Sequence, residues 1–287
     1  MPDNKHLPLT VYSPESQLRT PHRLLSSMWQ GFLHSRDLGW RLFVRDITAQ
    51  YRQSFFGIFW AFFPPIIMGL VFILLHSQKI VNFNETHMPY PVFVLIGTTL
   101  WQVFVVSLNA PLRSIENSKS LLAKIYFPWE ALMLAAFYDT IFNLLFKILV
   151  LIGVFVFFKV PVGPGLLTVP LGLLMLVFLG MTIGVYFAIL GMVYSDFIAL
   201  LNLVSSLWFF FTPVIYPPPA SFPFSLVNIL NPVTPILEGT RALMTGAGLP
   251  NAVPCLFVFL LTFFGFFMAW VLYRVAIPIM VERMPNA

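Results

Sequence analysis

The chain has 287 residues, of which 59% are hydrophobic and only 9% charged, with a formal net charge of +5. A water-soluble globule of this composition lacks the polar side chains to cover its surface, so that class is excluded and an integral membrane protein is indicated. The single cysteine, Cys255, excludes an internal disulfide and a multi-cysteine metal site.

Residues 1–21 carry Pro2, Pro8, Pro14 and Pro21 without periodicity and are expected to form a cytosolic tail. No apolar run precedes Phe55, so the N-terminus is expected to stay in the cytosol. From residue 22 to 54 the pattern becomes helical. Trp40, Phe43, Val44, Ile47, Tyr51 and Phe55 recur at spacings of three and four, and Arg41, Arg45 and Arg52 fall along one edge of that stripe. Such a segment predicts an amphipathic helix lying in the membrane interface. It runs without a turn signal into the first apolar stretch, where Pro64-Pro65 predicts a kink.

A helical bilayer span needs about 20 mostly apolar residues. Six runs meet that length: Phe55–Gln78, Tyr90–Leu112, Trp129–Phe158, Gly165–Tyr194, Phe197–Tyr216 and Ala252–Ile277. With the N-terminus inside, twelve Lys/Arg fall on the cytosolic side and three, Lys79, Lys159 and Arg241, on the other. That asymmetry predicts both termini in the cytosol, with residues 278–287 as a cytosolic C-terminus. The cytosolic loop 113–128 mixes charge with Leu121, Leu122, Ile125, Tyr126 and Phe127, and predicts a short amphipathic helix across the membrane surface. Segment 217–251 is too apolar for a solvated loop and too often broken by Pro and Gly for a span. It predicts short re-entrant or interfacial helices at the outer mouth.

The phosphate-loop pattern GxxxxGK[ST], HExxH and GxSxG are all absent, so the chain has no ATP-hydrolysing, zinc-peptidase or nucleophile-elbow signature of its own. Glu130 and Asp196 fall near cytosolic ends of spans, where water is expected to reach them. Asp139 and Lys147 lie deep in one span and are about 12 Å apart along a helix, so each needs a partner on another element. Trp60, Trp101, Phe104, Trp208, Phe211 and Tyr216 are candidate linings for a sugar path, because sugar rings stack on aromatic faces; packing and interface-belt roles compete at each position.

Several segments taken in order resemble the ABC-2-type permeases that export polysaccharides, lipid-linked O-antigens, capsules and teichoic acids. They are Arg45-Asp46-Ile47 with Tyr51-Arg52-Gln53-Ser54, Gly57 and Trp60; Asn117 with Leu121-Leu122 and Lys124-Ile125-Tyr126-Phe127-Pro128; Thr212-Pro213-Val214-Ile215-Tyr216-Pro217; and Asn231-Pro232 with Arg241 and Gly246. The likeness covers roughly residues 35–280. Where that family often has Arg-Asp at the cytosolic end of the fourth span, this chain has Ser195-Asp196.

The resemblance implies a homodimer of six-helix subunits in the bacterial inner membrane, served by two copies of a separate ABC ATPase that binds ATP and Mg. This chain would carry no cofactor, metal or catalytic residue. It would place a substrate-headgroup portal at Arg41, Arg45, Tyr51 and Arg52, and ATPase coupling at Asn117, Leu121, Lys124, Tyr126, Phe127 and Pro128. An external gate would include Pro217, Asn231, Pro232 and Arg241. The fold class expected is therefore an all-α integral membrane protein with a 55–277 transmembrane domain, moving an undecaprenyl-type lipid-linked glycan. The competing readings are an exporter of a drug or small lipid and a membrane-embedded lipid-modifying enzyme; the scattered charges argue against the second.

Overall fold

The computed structural model describes residues 21–283 apart from positions 53, 56, 80–87, 123–127, 129, 162, 195, 220, 223 and 247–251. Every regular element among the described residues is helical, and none of them is a strand. In chain order the helices are α1 (Pro21–His34), α2 (Arg36–Arg52), α3 (Phe63–Ser77), α4 (Tyr90–Leu122), α5 (Glu130–Phe157), α6 (Val169–Val193), α7 (Asp196–Phe211), α8 (Phe224–Leu230), α9 (Val233–Met244) and α10 (Ala252–Arg283). Short 3₁₀ turns at Gly57–Ala61 and Pro164–Thr168 precede α3 and α6.

Four stretches, Tyr90–Lys119, Glu130–Phe157, Gly165–Met192 and Ala252–Ala276, are long and apolar enough to cross a bilayer. The other two expected spans form shorter helices. α3 has 15 residues and α7 has 16, short of the ~20 that a perpendicular crossing needs. The shortening of α3 corrects the expectation of a helix running uninterrupted from the interface and kinked at Pro64-Pro65. α2 stops at Arg52, Gly57 adopts a positive φ of 49°, and a 3₁₀ turn intervenes before Phe63. Pro64 and Pro65 stand in the first turn of α3, where the missing amide hydrogens have no intrahelical acceptor to lose, so they start the helix rather than bend it.

α4 is the hub. It packs against α3, α5, α6, α7 and α9, and 78% of its apolar span is buried, against 17% for α10. Leu100, Phe104 and Leu108 on α4 and Leu176, Val177 and Val185 on α6 are buried in the common core. The expectation of a separate surface helix in 113–128 is also corrected: residues 113–122 continue α4 as its last turns. Within segment 217–251 the described residues form two helices. α8 and α9 are two short helices after the Pro-rich turn, and α9 buries Val233, Ile236, Leu237, Thr240 and Met244.

Candidate functional site

The expected portal lies where α2 crosses α5. Gly39 makes the close approach possible, because a Cβ there would stand 2.7 Å from the Leu134 Cβ and 3.1 Å from the Ala131 carbonyl oxygen. Leu42 and Phe43 are buried beside it, and Phe43 and Trp40 pack on Phe142 and Tyr138 with ring centroids 5.8 and 5.6 Å apart. The apolar stripe is thus used along the face centred on Gly39, Leu42 and Phe43, while Trp40, Val44 and Phe55 remain exposed.

The three arginines of the stripe's edge part company. Arg41 and Arg52 are exposed. Arg45 is engaged within the protein: its Nε donates to Asp46 Oδ1 at 2.8 Å, and its Nη2 donates to Ser118 Oγ at 3.1 Å and to the Asn117 carbonyl at 3.3 Å. One of the expected headgroup residues therefore bonds to one of the expected coupling residues. Asn117 is exposed on the last turns of α4, and Leu121 and Pro128 are half-buried. Lys124, Tyr126 and Phe127 lie outside the described residues.

A polar cleft of about 40 Å³ opens beside this contact, lined among others by Asp46, Gln50, Arg113, Asn117 and Asp139. Arg113 Nη2 stands 3.3 Å from Asp139 Oδ2, and Asn143 Nδ2 donates to Asp139 Oδ1 at 3.0 Å. Tyr51 completes the group: burial pushes its phenol above the ordinary value, the Asp139 carboxylate adds to the shift, and Arg113 opposes it. Lys147 donates to the Ala61 carbonyl and so pins the 3₁₀ turn ahead of α3. Both intramembrane charges find partners on neighbouring elements, as their depth required. Glu130 does not face water. It is buried and accepts a 2.8 Å bond from Arg274 Nη1, joining the start of α5 to the last part of α10; Asp196 is exposed, as expected.

At the opposite end of α4 the gate residues come together around the turn after α7. Arg241 is 4% exposed and donates to the Val214 carbonyl at 2.8 Å and to the Pro213 carbonyl at 3.2 Å. Its guanidinium lies 3.8 Å over the Phe93 ring of α4, with Glu238 at 3.8 Å on its own helix. Asn231 is the second clamp. Its Nδ2 donates to Thr212 Oγ1 at 2.8 Å, and its Oδ1 accepts from Trp208 Nε1 and from the Val233 amide, both at 3.0 Å. Pro217 and Pro232 flank the assembly half-buried. The turn needs such clamps: a helix ends with unpaired carbonyls, and Pro213 has no N–H with which to continue the ladder.

The aromatic candidates divide. Trp101 and Phe104 are buried, and with Trp208 and Phe209 they form one cluster between α4 and α7, with ring centroids 5.3 to 5.8 Å apart. Trp60 and Phe211 are exposed, and Tyr216 donates its hydroxyl to the Phe210 carbonyl at 2.8 Å. Residue reading missed Arg113 as the partner of Asp139, Ser118 as the partner of Arg45, and Phe93 beneath Arg241. Arg113 carried a usable signal, as the first cation after the apolar run that begins at Tyr90; the carbonyl acceptors carried none.

Four helices long and apolar enough to cross a bilayer, with charges paired along them and an amphipathic helix packed on them, define a multi-pass helical membrane protein. The chain belongs to the ABC-2 type transporter family, which it matches over residues 38–245. It is 28% identical over 240 residues to the O-antigen export system permease protein RfbA of Myxococcus xanthus, covering 81% of this chain and 88% of the relative. A Klebsiella pneumoniae protein of the same name is 25% identical over 227 residues, covering 77% and 86%.

Proposed function

We propose that this chain is the membrane-spanning permease subunit of an ATP-driven exporter that moves a lipid-linked polysaccharide of O-antigen, capsule or teichoic-acid type across the bacterial cytoplasmic membrane. The two relatives named as O-antigen export permeases support the substrate class. The seam between α2 and α4 carries the mechanism: Arg45 ties the interfacial helix to the Asn117–Ser118 turn, next to the segment read as the docking point for the ATPase. Both termini lie in the cytosol, the chain works as a homodimer, and two copies of an ABC ATPase bind ATP and Mg on the cytosolic face. Nucleotide binding there displaces the Asn117 end of α4, and Arg45 passes that movement to α2.

With Arg45 engaged, the phosphate-binding role falls to Arg41 and Arg52. An exposed guanidinium pairs bidentately with a pyrophosphate headgroup, while the glycan passes into the channel between two copies of the subunit. Changing both Arg41 and Arg52 to Gln is expected to abolish surface polysaccharide while the ATPase still copurifies. Full surface polysaccharide in that variant would overturn the headgroup role. Deleting the chain without any loss of surface polysaccharide would overturn the function itself.

A further inference from the structure

We propose that a phospholipid occupies the seam between α6 and α10, with one acyl chain in an apolar groove and its phosphate on Arg274. Two cavities lie along this seam. One, of about 210 Å³, sits beneath α1 and is walled by Trp29, Phe32, Met133, Met181 and Trp270, with Glu130 its one charged lining group. The next, of about 360 Å³, lies between Leu174 of α6 and Phe259 and Phe263 of α10. Phe178 and Phe266 belong to both and pack edge to face, ring centroids 5.5 Å apart, so the two cavities adjoin across that ring pair and a chain passing from one to the other runs over it. Each is larger than the ~150 Å³ apolar cavity that suffices to hold a benzene ring.

Length and exposure choose the occupant. From Phe259 to Trp270 is eleven residues, about 16 Å of helix. That matches one leaflet, half of a hydrocarbon core about 30 Å thick. Leu174, Phe259 and Phe263 are exposed along the groove's open side, where the acyl chains of the bilayer meet it.

The polar end suits a headgroup. Trp29 and Trp270 stand where the groove meets α1, and tryptophan belts mark headgroup level. Arg274 follows Trp270 by one turn. It spends Nη1 on Glu130, and the other donors of its fork meet no described partner. A zwitterionic headgroup complements this pair, with its phosphate on the free side of Arg274 and its ammonium toward Glu130. Leu134, which lines the first cavity, also meets Gly39 of α2, so this end of the groove adjoins the α2–α5 contact, while the anchoring cation, Arg274, stands on α10.

The test is native mass spectrometry of the full chain, delipidated in detergent and titrated with dioleoyl phosphatidylethanolamine. One lipid per chain is expected to bind well ahead of the rest. Leu174→Trp, which fills the groove from its lipid-facing wall, should weaken that first step. Arg274→Gln should weaken it about tenfold through the lost charge-assisted bonds. Arg274→Lys keeps the charge opposite Glu130 and should weaken it less, which covers the case in which the Gln variant fails to assemble. Leu145→Trp, on the exposed face of α5, should leave it unchanged. Equal lipid binding by wild type and both groove variants, or an equal loss in Leu145→Trp, would overturn the proposal.

Discussion

Arg241 offers the sharpest test of how the turn after α7 is held. Replacing it with Met keeps most of the volume and removes the charge, leaving the Pro213 and Val214 carbonyls without donors and Phe93 without its cation. Two charge-assisted bonds contribute about 1.5–3 kcal/mol each, and a desolvated cation–π contact about 2. Against them stands the several kcal/mol that burying a guanidinium costs, which the Met side chain no longer incurs. The net loss is about 3 kcal/mol, within the range seen when one partner of a buried charged pair is removed. At roughly 2–4 °C per kcal/mol for a chain of this size, the apparent Tm should fall by about 10 °C. Cys255 supplies the assay. It is the sole thiol, half-buried, and donates to the Pro235 carbonyl at 3.1 Å, so a thiol-reactive dye reports the release of α9. Arg241→Lys should fall between the two, because a single ammonium cannot serve both carbonyls and the ring in fork geometry. A Met variant melting within about 2 °C of wild type would refute the reasoning, since it would mean that the carbonyls find other donors at no cost.

Two further outcomes follow from the α2–α4 seam. In a double-mutant cycle, Arg45→Ala and Ser118→Ala should couple by less than about 1 kcal/mol in stability, because the Arg45 side chain is 37% exposed and water screens the bond. The same pair should be non-additive in polysaccharide export, with additive export defects counting against Arg45 as the link. The phenol of Tyr51 is raised above its ordinary value of 10.0 by burial, so the folded state holds that proton more tightly than the unfolded chain. Its contribution is therefore complete below pH 10 and is lost as pH rises through the folded value; Tyr51→Phe should flatten the alkaline limb of a stability–pH curve, and an unchanged limb would exclude Tyr51 as its source.

The four long spans and the short helices of segment 217–251 are legible in the sequence because both depend on local quantities, apolar length and the spacing of Pro and Gly. The need of Asp139 and Lys147 for partners is legible for a similar reason: the cost of intramembrane charge does not depend on the fold around it. The start of α3 is not. Pro64-Pro65 in an apolar run is equally compatible with a kink and with a first turn, and the choice rests on Gly57 and the 3₁₀ turn that Lys147 holds from another helix. Arg45 shows the limit most clearly. Periodicity places it beside Arg41 and Arg52, but its partners Asn117 and Ser118 lie more than seventy residues away. No spacing rule on α2 could have separated it from its neighbours.

That separation changes what α2 can do. Arg41 and Arg52 are exposed, while Arg45 bonds α2 to α4, and beside it Arg113 pairs with Asp139 to join α4 to α5. At the other end of the same α4, Phe93 lies under Arg241, which clamps the turn after α7. α4 is a helix of 33 residues whose apolar span is largely buried, but Pro111 stands inside it, between Phe93 and Asn117, where the missing N–H opens one rung of the ladder and makes a joint. Under the exporter reading proposed above, a displacement at the Asn117 end of α4 falls on the near side of Pro111 and reaches α2 through the two Arg45 bonds, where it must work against the close packing of α2 on α5 at Gly39. Phe93 and Arg241 lie on the far side of Pro111, in the part of α4 that α5, α6 and α9 hold. The joint therefore lets the Asn117 end move with α2 while the turn after α7 stays clamped.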